Sequence, residues 1–333
     1  MTSLKRQILV AFLCILALGA RGWACGHGAA SPCPARPLIA SELNTIRYAE
    51  AQSELLRHVS KNPKDAQATL WLARSYLNTG NYNQAVEYAE RAVQLASDCS
   101  EAHFWLARAY ALKADKDRSF WLARKSRNEY LTAVQLDPDN LAARRDLMEF
   151  YVQAPWILGG SKDKAWAQVE AIASRNALQG DLARAIYWRD LNNPALAAKE
   201  FRKILEAKPQ QAAPYFQVAD FYESQRKPAE METAIRDVSL IVPDDPRLDY
   251  YSAVADVMKG QELTKAESDL KKYLAKTPPR NDFPPHASAH DWLGRIYEIK
   301  GNKGQAIKQY QSALSLSPDN RPAQEGLKRL DAN

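Results

Sequence analysis

The segment ATLWLARSYLNTGNYNQAVEYAERAVQL, beginning at Ala68, returns in altered form as AHDWLGRIYEIKGNKGQAIKQYQSALSL, beginning at Ala289. Both copies hold a Leu-small pair, a Tyr, a Gly and an Ala in one register. In the second copy these are Leu293-Gly294, Tyr297, Gly301 and Ala306, followed by Tyr310, Ala313 and Pro318. Such self-similarity constrains the fold more than any bulk property, because a single helix pair exposes an apolar face and must stack on a like neighbour. Each position has a physical role. A small residue at Ala73 or Gly294 lets the first helix approach its partner closely, and Tyr76 or Tyr297 fills the space between adjacent pairs. Gly80 or Gly301 ends the first helix in a left-handed cap. Ala85 or Ala306 sits where the second helix crosses the first, and Pro318 stops the second helix.

Extending the register gives about seven such pairs, starting near Ala66, Ser100, Leu141, Leu178, Ala212, Arg247 and Ala287. Pro138, Pro209, Pro243, Pro278 and Pro318 mark most of the ends. The pattern resembles the tetratricopeptide repeat (TPR), with its W-x2-L-G-x2-Y, A-x3-F and final Pro, over almost all of the chain after residue 40. The resemblance implies an all-α chain, a right-handed TPR superhelix (α-solenoid) of about seven helix-turn-helix units with capping helices. Scarce glycine, 13 in 333 residues, and abundant alanine and leucine agree with packed helices. The fifth pair carries Met231 where alanine is usual, and the fourth has Arg184 at an apolar position. An amphipathic helix over about 41–59 precedes the repeats of 66–320, and a short helix over 321–331, with Asn320 as its N-cap, follows them.

Three places depart from the period. The second pair carries about seven extra residues between its helices, around KADKDRSFWLARKS, and the junction before the last pair is lengthened by PPRNDFPPHA. The third departure, APWILGGSKDKAWA from Ala154, has paired glycines before Ser161-Lys162 but not the G-x-x-x-x-G-K-[ST] spacing of a phosphate loop, and a helical rather than a strand pattern precedes it. It reads as an enlarged turn: Pro155 stops one helix, Gly159 and Gly160 allow the reversal, and Ser161 caps the next. The spacing of Phe150-Tyr151, Ala154-Pro155, Gly159-Gly160 and Lys164-Ala165 resembles that of a subgroup of exported bacterial TPR proteins.

The first 24 residues have the layout of a secretory signal peptide: Lys5 and Arg6, an apolar run from Ile8 to about Ala20, and a small-x-small site at Gly22-Trp23-Ala24. No second long apolar run follows, so no transmembrane segment is expected in the mature chain. The expected location is the periplasm or cell envelope. Removal of Lys5, Arg6 and Arg21 lowers the formal net charge from +6 to +3, too little and too dispersed for nucleic acid. A Cys/Pro/Gly-rich segment, 25–40, comes next; Cys25 and Cys33 could pair in an oxidising compartment, leaving Cys99 over. Gly22 and Trp23 depart from the lipoprotein pattern, which disfavours a lipid anchor on Cys25.

Nothing in the sequence calls for catalysis or a cofactor. There is no H-E-x-x-H and no G-x-S-x-G. His286 and His290 have i, i+4 spacing, but Pro284-Pro285 places His286 ahead of the helix, so no metal site is expected there. The TPR resemblance implies a concave groove lined by the first helix of each pair and filled by a partner peptide or helix. The residues that fall on that face are Arg74, Asn78, Phe104, Arg108, Arg145, Glu149, Arg189, Phe216, Tyr251 and Arg295. A second candidate surface is the apolar loop at Trp156, with Ile157 and Leu158. The function so implied is a non-enzymatic protein-binding scaffold. The alternatives are an RNA-binding helical repeat and an accessory subunit of an envelope enzyme.

Overall fold

A computed structural model describes residues 48–331 apart from 278 and 280–282. The signal-peptide and 25–40 segments, the Cys25–Cys33 pairing, Pro278 and residues 41–47 lie outside the described residues. Sixteen α-helices and one 3-10 turn account for the described chain, which contains no strand. In order they are α1 (Tyr48–Lys61), α2 (Ala66–Asn78), α3 (Tyr82–Leu95), α4 (Ser100–Asp117), α5 (Phe120–Leu136), α6 (Leu141–Gln153), α7 (Lys162–Ala173) and α8 (Ala177–Asp190). There follow α9 (Pro194–Glu206), α10 (Ala212–Ser224), α11 (Pro228–Ser239), α12 (Arg247–Lys259), α13 (Leu263–Lys276), α14 (His286–Ile299), α15 (Lys303–Leu316) and α16 (Arg321–Asp331). Even-numbered helices from α2 to α14 are the first members of the pairs read from the sequence.

Local chemistry sets these boundaries. Asp65, Asn140, Ser161, Asn176, Asn193, Asn302 and Asn320 each accept a backbone N–H from the residue three positions on, satisfying a donor that the first helical turn leaves open. Gly80, Gly260 and Gly301 take left-handed φ values of 73°, 66° and 71° at the turns inside their pairs. Other pairs put a side chain in the same strained place: Arg118, Asn192 and Arg226 have φ of 52°, 55° and 53°. Left-handed backbone crowds the β-carbon of any residue but glycine. Arg226→Gly is therefore expected to stabilise the fold by about 1 kcal/mol in chemical denaturation.

The helices gather into two compact units. One runs to Phe150 and includes Ala154–Gly160; the other comprises Tyr151–Gln153 and everything from Ser161. In the first, α1 packs on α2, and the pairs α2/α3 and α4/α5 stack through Ala73, Ala85, Ala89, Leu106 and Ala109. In the second, one large core joins the pairs α8/α9, α10/α11 and α12/α13 to α14. A smaller core seals the last pair with α16.

The extra residues of the second pair lengthen its helices and not their connection. α4 has 18 residues and α5 has 17, separated only by Arg118 and Ser119. An i, i+4 ion pair between Lys113 and Asp117, 2.7 Å, supports the added turn of α4. The charge at Arg184 is absorbed locally: it donates to Asp181 and, at 3.4 Å, to Glu200, a carboxylate that Lys203 also reaches at 2.7 Å. The long junction before α14 is pinned by Tyr273 Oη donating to Pro284 O, 2.6 Å, and by His286 Nε2 at 2.8 Å from Thr277 O. α14 begins at His286, one residue earlier than the two prolines suggest, so His286 and His290 do share a helix.

Candidate functional site

The first helices of the N-terminal unit present a ladder of cations and aromatics. Arg74 and Arg108 occupy the same place in successive repeats, 34 residues apart. Their guanidinium groups both lie over the Trp105 ring, at 4.3 and 5.0 Å from its centroid. Trp105 is only partly buried and is held by its indole N–H donating to Glu101 at 2.7 Å. Arg108 also reaches Asp146 of α6, 3.3 Å, and Arg145 lies 3.9 Å from Glu149. Asn78 is partly exposed one turn beyond Arg74. One aromatic thus carries a guanidinium from each of two successive repeats, and the stacking fixes each guanidinium plane.

Phe104, by contrast, is 4% exposed and packs edge-on against Trp105 in the core. The face-lining aromatic of this pair is Trp105, one residue on, which the sequence pattern does not single out. Phe216 and Tyr251 are likewise buried, at 3% and 1%, and stack on each other at 5.8 Å. All three aromatics are buried in the cores of their own units and are not presented to a partner.

Arg247 Cζ sits 3.7 Å above Phe216 and 4.5 Å from Phe283, its fork held by both oxygens of Asp245. Of the two remaining arginines, Arg189 is exposed and paired with Asp190 at 2.7 Å. Arg295 bridges Asp291, 3.0 Å, and the Trp292 ring, 4.4 Å, at the edge of a cavity of about 550 Å³.

In the same unit two carboxylates stand one helical turn apart on α10, Asp220 exposed as a whole residue and Glu223 half-buried. Asp220 accepts from Tyr251 Oη, and Glu223 accepts from Tyr250 Oη at 2.8 Å and Trp292 Nε1 at 2.9 Å. Burial, only partly offset by these donors, pushes Glu223 up to about 7 and raises Asp220 above its ordinary value. The same burial, with the carboxylates beside them, holds Tyr250 and Tyr251 well above the usual phenol range. Asp291, 5% exposed, leaves its Oδ1 without a hydrogen-bond partner.

The loop after α6 is shaped as its residues suggest. Pro155 follows the helix, Trp156–Leu158 form a 3-10 turn, Gly159 has φ 95°, and Ser161 caps α7. Leu158 tucks in at 7% exposure, while Trp156 and Ile157 stand out at 84% and 70%. The apolar tip of the loop is thus split between burial and solvent.

His286 and His290 turn to different partners, Thr277 O and Gln309 Oε1, each at 2.8 Å. Among the described residues no group of three or more His, Cys, Asp or Glu side chains is placed to hold a metal ion. Cys99 is buried. No described helix is long and apolar enough to cross a membrane.

Residues 41–98 and 72–124 match one family model described as tetratricopeptide repeat, and residues 287–320 match another. No curated protein matches the chain. Among solved structures, yeast Tom70 is similar over 86% of this chain and 58% of its own, with 14% identity and a TM-score of 0.58. A chain of the APC/C hetero-tetramer Cut9-Hcn1 is similar over 89% of this chain and 56% of that one, at 14% identity and a TM-score of 0.52. A tetratricopeptide repeat protein from Parabacteroides merdae aligns over 85% of this chain and 100% of that one, at 18% identity and a TM-score of 0.49. Residues 41–124 and 287–320 are thus matched as tetratricopeptide repeats, and the stacked helix pairs with their recurring Leu-small, Tyr, Gly and Ala positions give the described chain the tetratricopeptide-repeat fold.

Proposed function

We propose that the protein is a non-enzymatic scaffold of the bacterial envelope that takes an extended segment or helix of a partner protein against the first helices of its repeats. The observation that carries the reading is the Arg74–Trp105–Arg108 stack, a half-buried aromatic with arginines of two consecutive repeats over its ring. Tryptophan and arginine are the side chains that most often anchor protein interfaces. The neighbouring Arg145 and Glu149 continue the polar ladder and would set the register of the bound segment. The partner's matching chemistry is a segment with carboxylates for the arginines and an apolar side chain for the indole edge. Export rests on the Lys5-Arg6 and Ile8–Ala20 pattern of the N-terminal segment. The helix pairs are given over to packing and to this face, in keeping with a binding role.

The test is crosslinking and affinity capture from the native envelope fraction, comparing the parent with a variant carrying Arg74→Ala, Arg108→Ala and Arg145→Ala. A stoichiometric protein partner captured by the parent, and reduced at least tenfold in the variant at unchanged helicity and melting temperature, is the expected outcome. Equal capture by both proteins would move the binding surface away from this face. RNA in place of protein in the captured fraction would favour a nucleic-acid reader.

A further inference from the structure

The four most exposed large apolar side chains of the N-terminal unit are used by none of the preceding roles. Phe120 and Trp121 open α5 at 70% and 65% exposure, and Trp156 and Ile157 tip the loop at 84% and 70%. Phe120 and Trp121 share the start of α5, and the 3-10 turn that carries Trp156 and Ile157 packs on the same helix. Arg108 of α4 and Asp146 of α6 are joined at 3.3 Å. α5 links the two pairs of residues directly. Arg127 is seven residues after Phe120, two helical turns or about 10 Å along the same stripe. Its guanidinium donates to Leu158 O at 2.8 Å, and Gly159 lies so close against it that a β-carbon there would collide. The loop is therefore seated on the stripe of α5 that begins at Phe120.

The surroundings are basic. From Lys113 to Asn128 the chain carries six cations, Lys113, Lys116, Arg118, Arg124, Lys125 and Arg127, against Asp115 and Asp117. Lys113 is taken by Asp117, Lys125 leans on Glu90 and Tyr110, and Lys116 lies over Tyr82. Arg118 and Arg124 are exposed and have no ion-pair or hydrogen-bond partner for their guanidinium groups among the described residues. Arg118 is also held outward by the left-handed turn between α4 and α5.

We propose that this patch docks on an anionic phospholipid surface, Phe120, Trp121, Trp156 and Ile157 entering the headgroup boundary and Arg118 and Arg124 pairing with lipid phosphates. Two features select a bilayer over a protein as the occupant. The apolar groups protrude from a loop turn and a helix start, a shape that suits a deformable interface more than a matched pocket. Aromatic tips bordered by arginines are also the composition of helices and loops that lie at the membrane–water boundary. The surface is distinct from the ladder of Arg74, Trp105 and Arg108, so a bilayer-bound scaffold would keep that face free.

Co-sedimentation of the full chain with vesicles of phosphatidylcholine containing 30% phosphatidylglycerol, against phosphatidylcholine alone, tests the assignment. Substituting serine at Phe120, Trp121, Trp156 and Ile157 touches only exposed side chains, and an unchanged melting temperature confirms the fold. We expect partitioning onto the anionic vesicles to fall at least tenfold in that variant. Arg118→Glu with Arg124→Glu should lower it about fivefold per residue, with no effect on neutral vesicles. The N-terminal apolar segment is common to every protein compared, and quenching by bromine-labelled lipid chains isolates the loop: the component removed by Trp156→Phe must be quenched in the parent. Equal partitioning of parent and serine variant, an unquenched Trp156, or a parent that self-associates in solution through these residues without binding vesicles would each overturn the proposal.

Discussion

Glu223→Gln is expected to stabilise the protein by about 2 kcal/mol at pH 8 and to leave it nearly unchanged at pH 4. The side-chain amide oxygen keeps an acceptor for Tyr250 and Trp292, whose donors stand at 2.8 and 2.9 Å, and removes a charge that burial disfavours. The direction follows from proton linkage. With a folded value of about 7 against an ordinary 4.5, the native state binds more protons than the unfolded state between those limits. Stability contributed by Glu223 is therefore full below pH 4.5 and declines as pH rises to 7. The whole shift corresponds to about 3 kcal/mol, and the loss of ideal geometry for an amide brings the expected gain to about 2. Glu267, held down to about 2 by Lys271, Lys300 and Tyr297, acts in the opposite sense, its contribution lost as pH falls below 4.5. Because Glu267 is common to parent and variant, the difference between their urea-denaturation curves across pH 4–8 isolates Glu223. A constant difference across that range would contradict the assignment.

Tyr310→Ala should be the most damaging single change, about 3–5 kcal/mol, with Gly294→Ala costing about 1–3. Tyr310 is fully buried, and its hydroxyl donates to Glu298 at 2.6 Å. Its ring is held between two glycines: a β-carbon on Gly294 would lie 2.5 Å from Tyr310 Cε1, and one on Gly326 would collide from the other side. The ring thus has nowhere to move. Helix propensity alone would have Gly294→Ala stabilise the protein by about 1 kcal/mol, so the sign of the effect separates packing from propensity. Thermal denaturation gives that sign, and hydrogen exchange in α16 should rise first, because Gly326 and Leu330 close on this ring from that helix.

The repeat frame was legible because each pair reuses the same few side chains for the same contacts. Ala73, Ala85 and Ala306 are buried where helices pack and Gly294 lies against the Tyr310 ring, so a small residue recurring at fixed spacing marks a close contact between helices. Helix starts at Ala66, Ser100, Leu141, Ala212 and Arg247 fall where the register puts them. The second pair misled, since extra polar residues read as connection when two long helices can absorb them with a two-residue turn. The surface was harder still. Phe104 and Trp105 are neighbours about 100° apart on α4, and only packing decides which of them faces the partner side. Phe216 and Tyr251 lie on the expected face, but Arg247 and Asp220 cover them. Glu223 looks in the sequence like any solvated acid, and its buried setting depends on Tyr250 and Trp292, which arrive from later repeats.

That last contact changes how the C-terminal unit should come apart. A tandem array whose members touch only adjacent members unfolds piecemeal from its ends, each repeat peeling away with its own free energy. Trp292 reaches Glu223 across 69 residues, passing over α12, while Tyr250 from that intervening pair holds the same carboxylate. Three successive hairpins therefore share one half-buried acceptor. Detaching the last of them strips a donor from a carboxylate two repeats away, so the terminal segment cannot fray independently and the three behave as one cooperative block.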